Sequence, residues 1–249
     1  MGEESGLEKL FFELASENRL CIIRELQKEN LKMQEIARRL DITPTEAFRQ
    51  LERLSTAMLV HKQPDGTFTL GEYGKLVFQI SASLDFISKH KYFSTHDLMR
   101  LPSQFVSRLG ELSGAEFGVD TIENINRGTQ AYMEAQKYAW GIGEGTIPAF
   151  MTSLMNQRVQ QGVEMKMLIY ENRLPKAASM PPMPKNLELR GLPDVPVLMV
   201  LTEKYAMVCF RQLGGKMDYS GFLGADTAFH NWVRDLFLYY WEKSKRAQA

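Results

Sequence analysis

The chain has 249 residues, 44% of them hydrophobic and 24% charged, a balance that suits a folded protein with a sizeable core and argues against disorder. Thirty Lys and Arg cancel thirty Asp and Glu, so no global positive field marks a nucleic acid or an anionic membrane, and any DNA contact has to be local. Cys21 and Cys209 are isolated, no leader-like N-terminus and no run of eighteen apolar residues occurs, and the expectation is a cytoplasmic chain without disulfide framework, zinc site or membrane span.

The length predicts two domains with a join: residues 1–90, a helical connector over 91–118, and residues 119–249. In chain order, Leu7, Leu10, Phe11 and Leu14, then Leu20, Ile23 and Leu26, recur at helical spacing, with Asn18 as a candidate N-cap between two helices. Ile36, Ala37, Leu40, Ile42, Ala47, Leu51 and Leu54 then form the inner face of a helix-turn-helix, Ala37 and Ala47 being small where the two helices cross. Thr43 caps the second helix, Pro44 suits its first position, and Glu46 three residues on completes a capping box. Two short strands, ending in Leu59-Val-His-Lys62 and starting at Thr67, join around Asp65-Gly66, a hairpin-turn dipeptide. From Glu72 the spacing of Tyr73, Val77, Ile80, Leu84 and Ile87 is that of a coiled-coil seam, although two heptads fit a helix packed on its own domain equally well.

After the connector, with Leu98, Leu101, Phe105, Val106, Leu109 and Leu112, the pattern alternates strand and helix. Lys137–Ile142 is a short apolar run; Thr146 can cap and Pro148 can open a helix over Ile147–Gln161, closed by Gly162; Glu164–Tyr170 is a strand that completes a right-handed βαβ unit. Asn172–Pro184, with four prolines, reads as a long loop. Strands near Leu187–Leu189, Val197–Thr202, Tyr205–Phe210 and Lys216–Tyr219 follow, and a final helix runs from about Asp226 to Lys245. The expected fold class is α+β in two domains: an N-terminal winged helix-turn-helix and a C-terminal α/β domain whose mixed sheet contains a βαβ unit.

The front of the second helix of the helix-turn-helix carries the functional expectation. Thr43, Thr45, Phe48, Arg49, Gln50 and Arg53, with Lys62 on the hairpin, are the candidate contacts to double-stranded DNA, because hydroxyls and arginines at the N-terminal half of such a helix suit phosphates and base edges in the major groove. Arg49 is the first choice for base readout. Residues 34–62 hold five Lys or Arg against four Asp or Glu, so a homodimer that doubles the phosphate contacts is expected.

The strings from Gln34 to Val60, Asp65-Gly66 and Leu70-Gly-Glu-Tyr-Gly-Lys-Leu-Val77, with Phe105-Val-Ser-Arg-Leu-Gly-Glu-Leu-Ser-Gly-Ala115, Leu192-Pro-Asp-Val-Pro196, Lys216-Met-Asp-Tyr-Ser-Gly-Phe222 and Phe237-Leu-Tyr-Tyr-Trp241, resemble the archaeal winged-helix transcriptional regulators of the methanogenesis-regulator type. The resemblance covers nearly the whole chain. It implies a dimeric transcription factor with a dedicated C-terminal sensor domain for a small-molecule or protein effector. Two positions depart from the usual winged-helix pattern: Met58 stands where Gly commonly precedes the wing strand, and Phe48 where a small polar residue is commoner.

Gly141-Ile-Gly-Glu-Gly145 lies between a strand and a helix but carries Thr146 where a dinucleotide fingerprint needs Gly, so no nucleotide cofactor is expected. Trp140, Gly143, Glu144 and Gly145 remain as a candidate effector site, since ligands of α/β sheets favour the carboxyl ends of parallel strands. His61, His90, His96 and His230 form no metal-ligand pair and are expected at surfaces or interfaces. The His-x-Lys spacing of phospholipase-D-like chemistry and a G-x-S-x-G elbow are both absent, so no catalytic residue is assigned and a non-enzymatic chain is expected. The rival functions are an α/β hydrolase-like enzyme tethered to a winged helix and a protein-interaction adaptor.

Overall fold

A computed structural model describes residues 6–145, 149–174 and 184–246. The cap and first-turn proline expected for the crossover helix, Thr146 and Pro148, and most of the Asn172–Pro184 loop lie outside the described residues. The chain divides into two compact units, Met1–Ala82 and Ser83–Ala249.

In the first unit, α1 (Gly6–Leu14) and α2 (Glu17–Lys28) are followed by β1 (Leu31–Lys32), α3 (Met33–Leu40), α4 (Pro44–Thr56), β2 (Val60–Lys62), β3 (Thr67–Leu70) and the start of α5 (Glu72–Lys89). The break between α1 and α2 falls earlier than expected: Ser16 takes the extended N-cap conformation, and Asn18 lies inside α2. Ile22, Ile23, Leu26, Leu31, Ile36, Leu51, Leu54, Leu59, Val60 and Leu70 form one buried cluster, with Ala37 and Ala47 buried between α3 and α4. The strands make an antiparallel sheet in the order β1-β3-β2, with Val60 opposite Leu70 and Leu31 opposite Phe68. The hairpin turn is set locally, Asp65 Oδ1 accepting the Thr67 N–H at 2.9 Å while Gly66 takes a φ of +86°.

The C-terminus of α4 shows why Met58 is an unusual choice. The Leu59 N–H donates to the Leu54 carbonyl and the Met58 N–H to the Ser55 carbonyl, each at 3.0 Å, the pairing of a Schellman motif. That motif puts Met58 in the left-handed region, at φ +59°, with its side chain exposed. Just beyond β3, a Cβ on Gly74 would stand 2.0 Å from the Leu59 carbonyl oxygen, so the first turn of α5 can lie on this backbone only without a side chain.

The second unit is built on an eight-stranded mixed sheet in the order β11-β7-β6-β5-β8-β9-β10-β4. Its elements, in chain order, are α6 (Ser103–Val106), β4 (Glu116–Gly118), α7 (Thr121–Glu134), β5 (Tyr138–Ile142), α8 (Ala149–Gln160), β6 (Glu164–Tyr170), β7 (Leu187–Leu192), β8 (Val197–Thr202), β9 (Ala206–Phe210), β10 (Gly221–Gly224), α9 (Thr227–Lys243) and β11 (Lys245–Arg246). β5, β6 and β7 are parallel, so β5-α8-β6 is the βαβ unit; β8 returns antiparallel to β5. Alternation along the strands fills two cores. Ile142, Leu168, Val197, Met199, Leu201, Val208 and Phe210 meet Phe229, Trp232, Val233, Leu236 and Phe237 of α9, while Ala139, Met165, Met167, Val200 and Met207 meet Ala131, Tyr132, Met155 and Val159 of α7 and α8.

The residues expected to be a connector belong to the first of these cores. Leu98, Leu101, Phe105, Leu109 and Leu112 are buried beside α9, and the Trp232 indole N–H donates to the Phe105 carbonyl at 3.2 Å. Residues 91–118 therefore complete one layer of the second unit, and the division falls at residue 82 rather than 90. Lys216–Tyr219 forms only an isolated bridge, Met217 to Arg211; the strand comes later, as β10, with Phe222 opposite Val208. His96, expected at a surface or an interface, is buried, stacked on Tyr92 at 3.5 Å between ring centroids, with Nε2 3.1 Å from Asp218 Oδ2.

Two substitutions test this account of the first unit. Met58→Gly relieves a left-handed penalty of about 1–2 kcal/mol against a glycine entropy cost of about 0.5–1 kcal/mol, so its unfolding midpoint, followed by far-UV circular dichroism, rises by a few degrees. Gly74→Ala forces a methyl group into the Leu59 carbonyl and lowers stability by about 1–3 kcal/mol in urea unfolding; a neutral result contradicts the close approach.

Candidate functional site

The exposed surface of α4 starts at its cap. Thr43 Oγ1 accepts the Glu46 N–H at 3.1 Å and Pro44 occupies the first turn, which fixes the helix start as expected from sequence. The Glu46 carboxylate turns to the Gln50 amide and lies 3.5 Å from the Arg49 guanidinium. Thr45, Phe48 and Arg49 are exposed on this helix, Arg49 to 70% of its side chain, and Lys62 is exposed on β2, its ammonium 5.9 Å from the Phe68 ring centroid.

Two of the seven expected contacts are placed differently. Gln50 is buried and accepts a 3.0 Å hydrogen bond from Arg19 Nη1. Arg53 donates from Nε and Nη2 to both carboxylate oxygens of Glu13, at 3.1 and 2.7 Å, and lies over the Phe12 ring. Arg19, itself buried, also donates to the carbonyls of Phe12 and Glu13 at the end of α1. Arg19, Glu13 and Arg53 thus tie α1 to α4. The hydrogen bonds from Arg53, against the opposing pull of burial, hold the Glu13 carboxyl below the ordinary range. Sequence periodicity misses this cluster because its partners stand up to forty positions apart. Arg39 on α3 is likewise consumed, by Glu25, Glu29 and Glu35.

A cleft of about 670 Å³ opens beside the cluster, lined among others by Leu10, Phe12, Ala57, Met58 and Tyr73. Of its lining, Phe12, Met58 and Tyr73 are exposed, as are Leu7 and Phe11 elsewhere on α1 and Leu76 and Ile80 on α5. Of the seam expected on α5, Tyr73, Ile80 and Leu84 are exposed, whereas Val77 packs on the first unit's core and Ile87 on the second's.

In the second unit the expected effector residues separate into two places. Trp140 packs towards α9, stacked on Phe237 at 5.0 Å, with Lys166 over its ring and its N–H donated to Glu164 at 2.9 Å. Gly143, Glu144 and Gly145 follow the carboxyl end of β5. There Glu144 Oε1 accepts from Arg211 Nη2 at 3.0 Å, and the Glu144 carbonyl accepts from Arg173 Nη1 at 2.7 Å. Arg211 also donates to Tyr170 Oη and to the carbonyls of Val195 and Gly215. Sequence reading found Glu144 but neither arginine. The Cys209 thiol is buried and pushed up to about 12 by burial, which keeps it from acting as a thiolate. Among the described residues, no group of three His, Cys, Asp or Glu side chains is placed to hold a metal ion, and no helix is long and apolar enough to cross a membrane.

No family model matches the sequence, and no curated protein does either. Solved structures resemble the fold at TM-scores below 0.5. TrmBL2, an archaeal chromatin protein with a novel mode of DNA binding, matches at 15% identity and TM-score 0.42 over 93% of this chain and 94% of its own. NucT from Helicobacter pylori matches at 10% identity and TM-score 0.42 over 53% of this chain and 98% of its own. Nuc from Salmonella typhimurium, a phospholipase D family member, matches at 10% identity and TM-score 0.39 over 50% of this chain and 91% of its own. The expectation of a non-enzymatic chain is corrected by the last two matches, a phospholipase D family member among them, and is withdrawn.

The Glu13 cluster has a pH signature. Because the folded carboxyl titrates below its unfolded value of about 4.3, its stabilisation is complete above that pH and is lost as pH falls through the folded pKa. Wild type is expected to be more stable than Glu13→Gln in urea unfolding at pH 6, with the gap closing towards pH 3; a gap independent of pH rules out the ion pair as its source.

Proposed function

We propose that the first unit is a winged helix-turn-helix that binds double-stranded DNA, and that the chain is a cytoplasmic, homodimeric transcriptional regulator whose second unit binds a small-molecule or protein effector. The observation that carries this reading is the capped α4, with Thr45, Phe48 and Arg49 exposed at its N-terminal half, beside a β2-β3 hairpin that presents Lys62. A helix of this kind fits the major groove, and a hairpin beside it suits the flanking backbone.

The working interface is smaller than the sequence suggests. Gln50 and Arg53 serve the α1–α4 tie, which leaves Thr43, Thr45, Phe48, Arg49 and Lys62 as the groove and phosphate contacts. Residues 1–82 hold eleven Lys and Arg against thirteen Asp and Glu, so one copy neutralises few phosphates. Since log K falls by about 0.9 per log unit of salt for each phosphate neutralised, a single copy binds weakly and a pair is required. The apolar surface of Leu7, Phe11, Phe12, Met58, Tyr73, Leu76 and Ile80 is the proposed contact between copies. The effector site is proposed at Gly143, Glu144 and Gly145, at the carboxyl end of β5, with Trp140 earlier on the same strand.

Selection of bound fragments from genomic DNA, followed by anisotropy titration of the enriched and a scrambled duplex at one salt concentration, tests the reading; equal affinity for both sinks specific recognition. Arg49→Ala is expected to weaken the enriched duplex selectively, by about 1–3 kcal/mol, the worth of a bidentate base contact. Equal loss on both duplexes moves Arg49 to the phosphates. Ile80→Glu is expected to halve the molar mass in sedimentation and to weaken DNA binding while the fold is retained; unchanged mass removes this surface from the dimer.

A further inference from the structure

The carboxyl edge of the parallel strands in the second unit holds a buried arginine whose arrangement exceeds a structural pin. Arg211 follows β9 directly and its side chain is 6% exposed. Its Nε and Nη1 donate to the carbonyls of Val195 and Gly215, at 2.8 and 2.6 Å, which fixes the guanidinium in place. Its remaining nitrogen, Nη2, points to Tyr170 Oη at the end of β6 and to Glu144 just past β5. A second guanidinium, that of Arg173, reaches the same place, donating to the Glu144 carbonyl, and both arginine Cζ atoms lie 5.8 Å from the Tyr170 ring centroid.

Two guanidiniums therefore meet at one residue, Arg211 on the Glu144 carboxylate and Arg173 on the Glu144 main-chain carbonyl, and the carboxylate is the member free to rotate away. Glu144 is 35% exposed in its side chain and stands between Gly143, where an added Cβ would meet open space, and Gly145 at φ +83°. Arginine presents a planar fork matched to carboxylate and phosphate oxygens. The carboxyl ends of the parallel pair β5 and β6 share this edge, and ligands of open α/β sheets favour the carboxyl ends of such strands.

We propose that Arg211 and Arg173 form a binding site for a small anionic metabolite, a carboxylate or a phosphate ester, and that the Glu144 side chain occupies the site in its absence and is displaced on binding. This names the chemistry of the effector and so rests on the regulator reading above for its use, though not for its existence. Displacement breaks the Glu144–Arg211 contact and replaces it with a contact of the same geometry to the ligand. The ligand gains only the difference between the two, so affinity depends on how strongly Glu144 competes.

The test is isothermal titration of the full chain with inorganic phosphate, with succinate and with glycerol, against sodium chloride of matched ionic strength. Phosphate or succinate is expected to bind, and glycerol is not; whichever anion binds more tightly assigns the ligand class. Glu144→Gln removes the competing charge and is expected to tighten binding about tenfold, and Arg173→Gln to weaken it at least about fivefold, in line with the strength of charge-assisted hydrogen bonds. Both positions are at the surface, so neither variant depends on replacing buried Arg211. Failure of both anions to bind wild type and Glu144→Gln overturns the proposal, as does binding that neither substitution changes. DNA titrations on the same samples separate the two readings: DNA binding without an anion site sinks this inference alone, and an anion site without DNA binding sinks the regulator alone.

Discussion

A sheet with parallel strands at its centre has to be covered on both faces, because each strand alternates apolar residues to either side and neither set can be left in water. β6 and β8 carry large side chains in both directions, while β5 turns Tyr138, Trp140 and Ile142 to one face and only Ala139 and Gly141 to the other, and two separate cores result. One face is closed by α7 and α8. On the other, α9 spans only part of the width, and the residues before β4 complete the cover with Phe105, Leu109 and Leu112. That layer also lets Tyr92 reach in to accept the Phe210 N–H and donate to the Ser220 carbonyl. The edge strands stay short, as small partners of a sheet whose mass lies at its middle.

In the first unit, the organising force is ionic as much as apolar. The three-helix core is ordinary, but its cations are mostly occupied: Arg19 and Arg53 by Glu13, Arg39 by three glutamates, Lys28 by Glu25. Exposed pairs of this kind contribute little stability each. Arg19 differs because its guanidinium is buried and bonded to backbone carbonyls as well as to Gln50, so losing a partner leaves a charge stranded. The tie joins α4 to α1, buries Gln50 and pairs Arg53 with Glu13, which commits two polar side chains of α4 within the unit. The apolar residues that α1 leaves exposed lie beside the same tie, which places the proposed contact between copies and the proposed DNA-facing helix on one rigid framework.

The second unit uses the same device with a different outcome. Arg211 is as buried as Arg19 and is also held by main-chain carbonyls, yet its carboxylate partner sits in a glycine-flanked turn at a strand edge rather than on a helix. A buried charge whose partner can leave is a means of exchanging one anion for another, whereas a buried charge whose partner is locked in a helix is a brace.

The sequence by itself determined what depends on neighbours in the chain. The Thr43 cap, the Asp65-Gly66 turn, the period-3.6 faces of α3 and α4, and the β5-α8-β6 crossover are all local in origin, and Glu144 was legible as a polar group in a glycine turn after a strand. Tertiary structure alone decided what distant residues share. Nothing near Gln50 or Arg53 in the chain reveals Arg19 and Glu13, and nothing near Glu144 reveals Arg211, sixty-seven positions away. Residues 91–118 carried apolar residues at near-helical spacing, which reads as a connector; their place as a layer of the second unit depends on α9, with Trp232 standing 127 positions from Phe105. Periodicity records which face of an element is buried; it holds no record of which polar groups meet when the elements close, and in both units those meetings decide which side chains remain to bind.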